Sequence, residues 1–367
     1  MSHPHTIGAS EMHARPPLSR RATTERVTLT GILAVVVLTA TATPAAAHER
    51  WFTSDAHATA WSFASRPLAL FGLAAALALT FAWRAIAARL RSPELPFLER
   101  LSALVPLVPR LLGIHLGVSL LALASRGNFL SPSLPLDDVP AGAVFVLLEA
   151  AVGVWLITGV RLRQAAMLLI ALGPALVLGA GPVALLENAA LVGVAGFLVL
   201  LPPSDAPLGA VEASPERIGP ALLLLRVGAG ISLVSLAFSE KFSNPDMARG
   251  MLADYPQLNV FASLGIPLST DAFIILAASV EVLFGLLILS GAAPQLVVPV
   301  AFVPFNLTLL LFGSTELIGH LPVYGVLLAL LVYGSSRQTA HVVPAFRFAT
   351  RTREARSAEA VVSPANS

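Results

Sequence analysis

The sequence predicts an all-α polytopic membrane protein, with two parallel-related four-helix transmembrane units and one preceding transmembrane helix. Three observations carry that expectation. The 367 residues are 56% hydrophobic and only 12% charged, whereas a soluble domain carries about 25% charged residues to cover its surface. Apolar segments approaching the ~20 residues of a membrane span recur along the chain. Glycines and polar residues inside those segments return at one fixed spacing.

The elements follow in order. Residues 1–26 are polar, with Arg15, Arg20, Arg21 and Arg26 ahead of a hydrophobic run from Val27 to Ala40. Pro44-Ala45-Ala46-Ala47 comes next, then the polar His48-Glu49-Arg50. A basic region, a short apolar core and an Ala-x-Ala end describe a secretory signal over 1–47; an uncleaved anchor is the alternative. Arg20-Arg21 opens a twin-arginine pattern that the neighbouring residues do not complete. Beyond it, apolar segments begin near residues 67, 107, 141, 164, 184, 219, 271, 294 and 318, which makes nine spans. An outer segment, the first of these helices and a loop occupy 48–106. The first four-helix unit covers 107–201, a linker 202–217, the second unit 218–335 and a polar tail 336–367, whose composition predicts disorder.

Arginine placement sets the orientation. Arg84, Arg89, Arg91, Arg100 and Arg110 crowd one loop, Arg161 and Arg163 another, and Arg337, Arg347, Arg351, Arg353 and Arg356 the tail. Threading the spans in order puts all three groups on one side, which the positive-inside rule makes cytoplasmic. The expected location is the cell (inner) membrane, with the mature N-terminus outside and the C-terminus inside.

The two units read as a duplication. Glu149-x3-Gly153-x5-Gly159 recurs as Glu281-x3-Gly285-x5-Gly291, an offset of 132 residues (281 − 149). The same offset carries Gly181 onto Gly313, Asn188 onto His320 and Gly193 onto Gly325, while Arg110 answers to Arg226 at 116 (226 − 110). Shared apolar composition does not readily place an intramembrane glutamate and four glycines in one register. Each unit has an even number of spans, so the copies insert in the same direction as a parallel repeat, and not an inverted one.

Several chemistries are disfavoured. The absence of cysteine excludes disulfides, a thiol relay and thiolate-held iron–sulfur or zinc within this chain. A net charge of +2 from scattered arginines offers no stripe for nucleic acid. His115 and His320 fall near opposite ends of their spans, which argues against bis-histidine haem, and His48, His57 and His320 lack the spacing of a metal site.

Ionisable residues inside spans are costly and therefore informative. Glu281 lies ten residues beyond Asp271 (281 − 271), where its helix begins, and so about 15 Å deep at ~1.5 Å per residue. Glu149 sits similarly, nearer the outer face. A lone carboxylate in such a place favours its neutral form unless a cation reaches it. Either these glutamates handle protons or quinol, or they glue helices by hydrogen bonding across the repeat. Glu240-Lys241 ends the sixth span, and Glu316 and His320 share a helix face one turn apart. Lys241, Glu281 and His320 together would make a path from the membrane middle to the outside, with Glu240, Glu316, Glu149 and Asn188 as its polar flank. The first unit has Ser125-Arg126 in place of Lys241 and Asn188 in place of His320, which marks it as the degenerate copy.

The second unit reads Arg226, then SLAFSEKFSNPDMARGML, LGIPLSTDAFIILAASVEVLFGLLILSG and GHLPVYG. It resembles the DoxX-like family of small four-span membrane proteins. The residues that carry this are Arg226, Lys241-Phe242, Pro245, Gly265-Ile266-Pro267 and Glu281 with Gly285 and Gly291. The likeness covers about 219–335 well and 107–201 in outline. It implies a redox-associated subunit, since the family includes proteins linked to quinol oxidase and thiosulfate:quinone oxidoreductase complexes. Quinone and a redox partner subunit are then the expected associates besides lipid, with Glu281 as proton acceptor. A non-enzymatic carrier or assembly scaffold is the rival reading.

Overall fold

The computed structural model describes residues 60–132, 134–201 and 215–344. The expected signal over 1–47, His48 and His57, most of the linker and the tail beyond 344 lie outside the described residues.

Among the described residues the apolar helices are α1 (Pro67–Ala87), α2 (Val108–Ala124), α3 (Gly142–Thr158), α4 (Leu162–Glu187), α5 (Ala189–Leu200), α6 (Pro215–Leu236), α7 (Thr270–Ser290), α8 (Pro294–Phe312) and α9 (Ser314–Ser335). Six apolar helical runs are long enough to cross a membrane: 67–87, 96–124, 162–187, 216–242, 270–290 and 317–335. They fit a multi-pass membrane protein. Side chains such as Phe71, Leu178 and Leu310 are 71%, 88% and 81% exposed, a surface that suits lipid and not water. α3 and α5, with 17 and 12 residues, are shorter than the sequence leads one to expect. The reasons are local. α3 is bounded by left-handed residues at Ala141 (φ 62) and Gly159 (φ 78), and α5 begins only after Asn188 leaves helical geometry at φ −96, ψ 15.

Backbone landmarks recur at the 132-residue offset. Gly159 (φ 78) matches Gly291 (φ 63), Arg161 (φ 49) matches Ala293 (φ 49), and Gly181 (φ 84) matches Gly313 (φ 62). The third pair marks a sharp turn in each half. Gly181 breaks α4, so that residues 182–187 run toward α5 much as α9 follows Gly313.

Packing repeats in the same way. α2 packs on α3 and α9, and α6 packs on α7 and α5. The backbones of α5 and α6 touch at Gly193 and Gly228, where a Cβ on either would come within 3.0 Å of the other's Cα. Such close approach is how helices associate where lipid removes the hydrophobic drive. At the matching position Gly325 of α9 receives Leu112 and His115 of α2.

Each half also places an arginine beneath a helix end. Arg110 donates to the Leu156 carbonyl at 3.2 Å, and Arg226, 1% exposed, donates to the Ser290 carbonyl at 3.2 Å. Both side chains lie against the left-handed glycine that follows, Gly159 or Gly291. A cation here satisfies carbonyls that the helix leaves without partners, at its negative end.

α1 stands against α7, with Gly72 receiving the Ser279 side chain. An ion pair holds its start and a hydrogen bond its far end. Arg66 bonds Asp271 at 2.6 Å, and Asp271 also takes Arg249 at 2.8 Å from the short helix Pro245–Asp254. That hydrogen bond raises the Arg249 guanidinium above its ordinary range, so it stays charged. At the opposite end Trp83 donates to the Ala292 carbonyl at 3.0 Å, and Arg337 pairs with Glu99 at 2.8 Å.

Candidate functional site

α6 does not end cleanly. It runs into one π-helical turn, Ala237–Phe242, which carries Glu240 and Lys241. Single π turns within α-helices widen the backbone and recur at functional sites. Here the turn aims Lys241 across to α7. Its Nζ lies 3.1 Å from Glu281 Oε2 and 3.2 Å from Glu240 Oε2. The Glu240 side chain is 3% exposed, Lys241 18% and Glu281 22%. One ammonium thus bridges two carboxylates, and a cation does reach Glu281.

The wall around this cluster is apolar. Val234, Ala237, Phe238 and Phe242 from α6 and its extension meet Ile274, Ile275, Ala278 and Val282 of α7. Charges so placed interact strongly because little solvent screens them. Ser235 and Ser239 on the same helical run keep buried hydroxyls without a hydrogen-bond partner among the described residues. Unused polar capacity of this kind is what a water or a ligand hydroxyl takes up.

Glu149, the counterpart of Glu281, is held differently. The 126–140 loop folds over it, burying Phe129 and Leu130, and the Leu130 N–H donates to Glu149 Oε2 at 3.0 Å. Leu130 adopts φ 56 to do so. Glu149 is 0% exposed, and its Oε1 has no hydrogen-bond partner among the described residues. A backbone amide in a sealed pocket replaces the lysine.

His320 and Asn188 belong to a second place. Both line a cavity between the two halves, with Glu187, Ser119 and Ser232. The His320 ring meets Phe305 edge-on at 4.9 Å and Tyr324 at 6.3 Å between centroids. Glu316 opens α9, and its side chain lies outside what the structure describes.

The structure therefore gathers Glu240, Lys241 and Glu281 at one point, and Asn188 and His320 at another. Glu187 is the residue that sequence reasoning passed over. An acid within an apolar run was the available signal, masked by its position next to the expected start of a span. No family model matches this chain, and comparisons with characterised proteins and with solved structures likewise find no match.

Proposed function

We propose that this chain is a DoxX-like membrane protein serving as an accessory subunit of a quinone-linked redox complex, with Glu281 as its proton-accepting group. The observation that carries the reading is the Lys241 ammonium held between Glu240 and Glu281 at a π-helical turn. Three ionisable groups with one net negative charge, set among apolar side chains, form a balance that one added proton neutralises. Oxidation of a quinol to a quinone releases two protons and two electrons; one hydroxyl would give its proton to this cluster, the other its proton to solvent, and the redox partner would take both electrons. Lys241 is the cation within reach of that carboxylate.

The recurring left-handed residues and the matching helix contacts support two parallel four-helix units behind one preceding helix. The sealed Glu149 supports a structural role for the first unit and a working role for the second. The arginine distribution supports a cytoplasmic C-terminus.

A scaffold or carrier is the second reading, favoured by the same lysine because it ties α6 to α7. Glu281→Gln separates the two, since it keeps shape and hydrogen bonding while removing ionisation. If the role is protonic, the variant folds and assembles normally but abolishes the quinone-linked activity of the host membranes. If the role is structural, it behaves as wild type while Glu281→Leu misassembles. Full quinone-linked activity in a well-folded Glu281→Gln protein ends the redox reading. Extraction of the purified protein for bound quinone is the companion measurement.

A further inference from the structure

The cavity between the halves has a volume of about 60 Å³. Its lining maps onto itself under the 132-residue offset: Glu187 onto Gly319 (319 − 187), Asn188 onto His320, and Leu191 onto Val323. It therefore sits where the two repeats meet, and the same positions that are glutamate and asparagine in one copy are glycine and histidine in the other. The difference at this junction gives the cavity one carboxyl and one imidazole in its lining.

The walls are built for polar contents. Glu187, Ser119, Ser131 and Ser232 all line the space and are 5%, 5%, 1% and 3% exposed. Both helices are irregular beside it. Asn188 departs from helical geometry, and Pro322, having no N–H, releases the carbonyl of Ile318 from its usual helical bond. Interrupted helices that line a cavity are the form in which membrane proteins offer backbone oxygens to small polar species. A space of this size takes a few waters, each needing two to four polar partners, and the lining supplies them.

We propose that this cavity holds a small water cluster that carries a proton between Glu187 and His320. In the transfer an O–H bond breaks at the neutral Glu187 carboxyl, its proton passes to a water, and that water's own proton moves on to a ring nitrogen of His320. An N–H bond forms there, the waters end as they began, and a carboxylate and an imidazolium replace the neutral pair. No other reactant is needed. The site is separate from the Lys241–Glu281 pair and does not rest on the quinone-linked reading. Among the described side chains, other titratable groups facing this region are His115 of α2, which stands beside Gly325 and bonds the Leu111 carbonyl at 2.8 Å, and Tyr324 of α9; Glu316 lies one turn before His320 in the sequence. α6 presents Ser232, Leu233 and Leu236, the outer loop Ser131 and Pro132, and α8 Phe305, none of them charged.

Difference infrared spectroscopy on the full chain in lipid, titrated from about pH 4 to 10 to cover carboxyl and imidazole, reads the transfer directly. The expected result is one protonated-carboxyl component, beside those of Glu149 and Glu281, that is lost in Glu187→Gln and whose midpoint moves by about one pH unit or more in His320→Gln, as coupled sites require. Bands of buried water, identified by their shift in ¹⁸O-labelled water, should accompany it and vanish in Ser119→Leu, whose side chain fills the space. Melting temperature and gel-filtration profile report the folding of each variant. If Glu187→Gln does not fold, the His320→Gln and Ser119→Leu comparisons still decide the matter. A midpoint unmoved in His320→Gln, a protonated-carboxyl spectrum unchanged in folded Glu187→Gln, or water bands indifferent to Ser119→Leu would overturn the proposal.

Discussion

Lys241 shows how much a single side chain can depend on its neighbours. Its ammonium has given up most of its hydration, and two carboxylates at 3.1 and 3.2 Å replace the lost water. Removing the lysine leaves Glu240 and Glu281 facing one another with no cation between them. Breaking a buried ion pair from one side costs about 3–5 kcal/mol, because the partner's desolvation is no longer offset. Lys241→Met should therefore destabilise the protein by about 3 kcal/mol, and adding Glu281→Gln should return part of the loss by removing one stranded charge. Arg66→Ala is the control. Its bridge to Asp271 joins side chains 48% and 33% exposed, so the loss should stay under about 1 kcal/mol. Thermal unfolding in one detergent ranks the three, and equal losses for Lys241→Met and Arg66→Ala would contradict the burial argument. Lys241 and Glu281 were legible in the sequence because charge within an apolar run is conspicuous. The Leu130 amide that serves Glu149 was not, since any residue can present a backbone N–H and only the folded loop brings this one near.

At the scale of elements, the 132-residue spacing was legible and its cause is geometric. Glycines at 159 and 291 recur because a left-handed residue must end α3 and α7 just where an arginine rises beneath them. A Cβ at Gly291 would strike the Arg226 guanidinium and lie 2.6 Å from the Val343 carbonyl, besides facing the left-handed backbone penalty. Gly291→Ala should cost about 2 kcal/mol or more, from roughly 1 kcal/mol of backbone strain and a displaced buried cation. Gly250→Ala, inside the short helix Pro245–Asp254 with open space around it, should be neutral or slightly stabilising. A denaturation series comparing the two is decisive, and similar effects at both positions would count against the cap. The break at Asn188 was not legible. Neither glycine nor proline occupies 188, and asparagine leaves a helix only when its side chain finds a backbone partner, here the Ala184 carbonyl at 2.8 Å. The π-helical turn at 237–242 escaped for the same reason, because no residue type requires one.

At the scale of the whole molecule, the contacts sort the chain into two ends independently of any charge rule. One end gathers Arg66, Asp271 and Arg249, and it includes the Ala60 N–H bonded to the Ser243 carbonyl at 2.7 Å. The other gathers Trp83 with Ala292, the Leu95 N–H with the Gln295 side chain at 2.6 Å, and Glu99 with Arg337. Arg84, Arg89, Arg91 and Arg100 belong to the second end by their closeness in the chain to Trp83 and Glu99. Arg110 and Arg163 reach carbonyls at Leu156 and Val199, where α3 and α5 finish. The positive-inside rule predicts that this end is cytoplasmic and that residues 243–268 face outward. The chain has no cysteine, so single introduced cysteines report their sidedness without a background to remove. Leu264 is 74% exposed within residues 243–268, and the Arg337 side chain is 73% exposed at the other end. An impermeant maleimide should label Leu264→Cys in intact cells and Arg337→Cys only after the membrane is opened. The choice of sites matters, because both are held by ordered structure and neither change removes a buried contact. Labelling of Arg337→Cys in intact cells would invert the orientation and put the Lys241–Glu281 cluster nearer the cytoplasmic face, where a proton would be drawn from inside the cell.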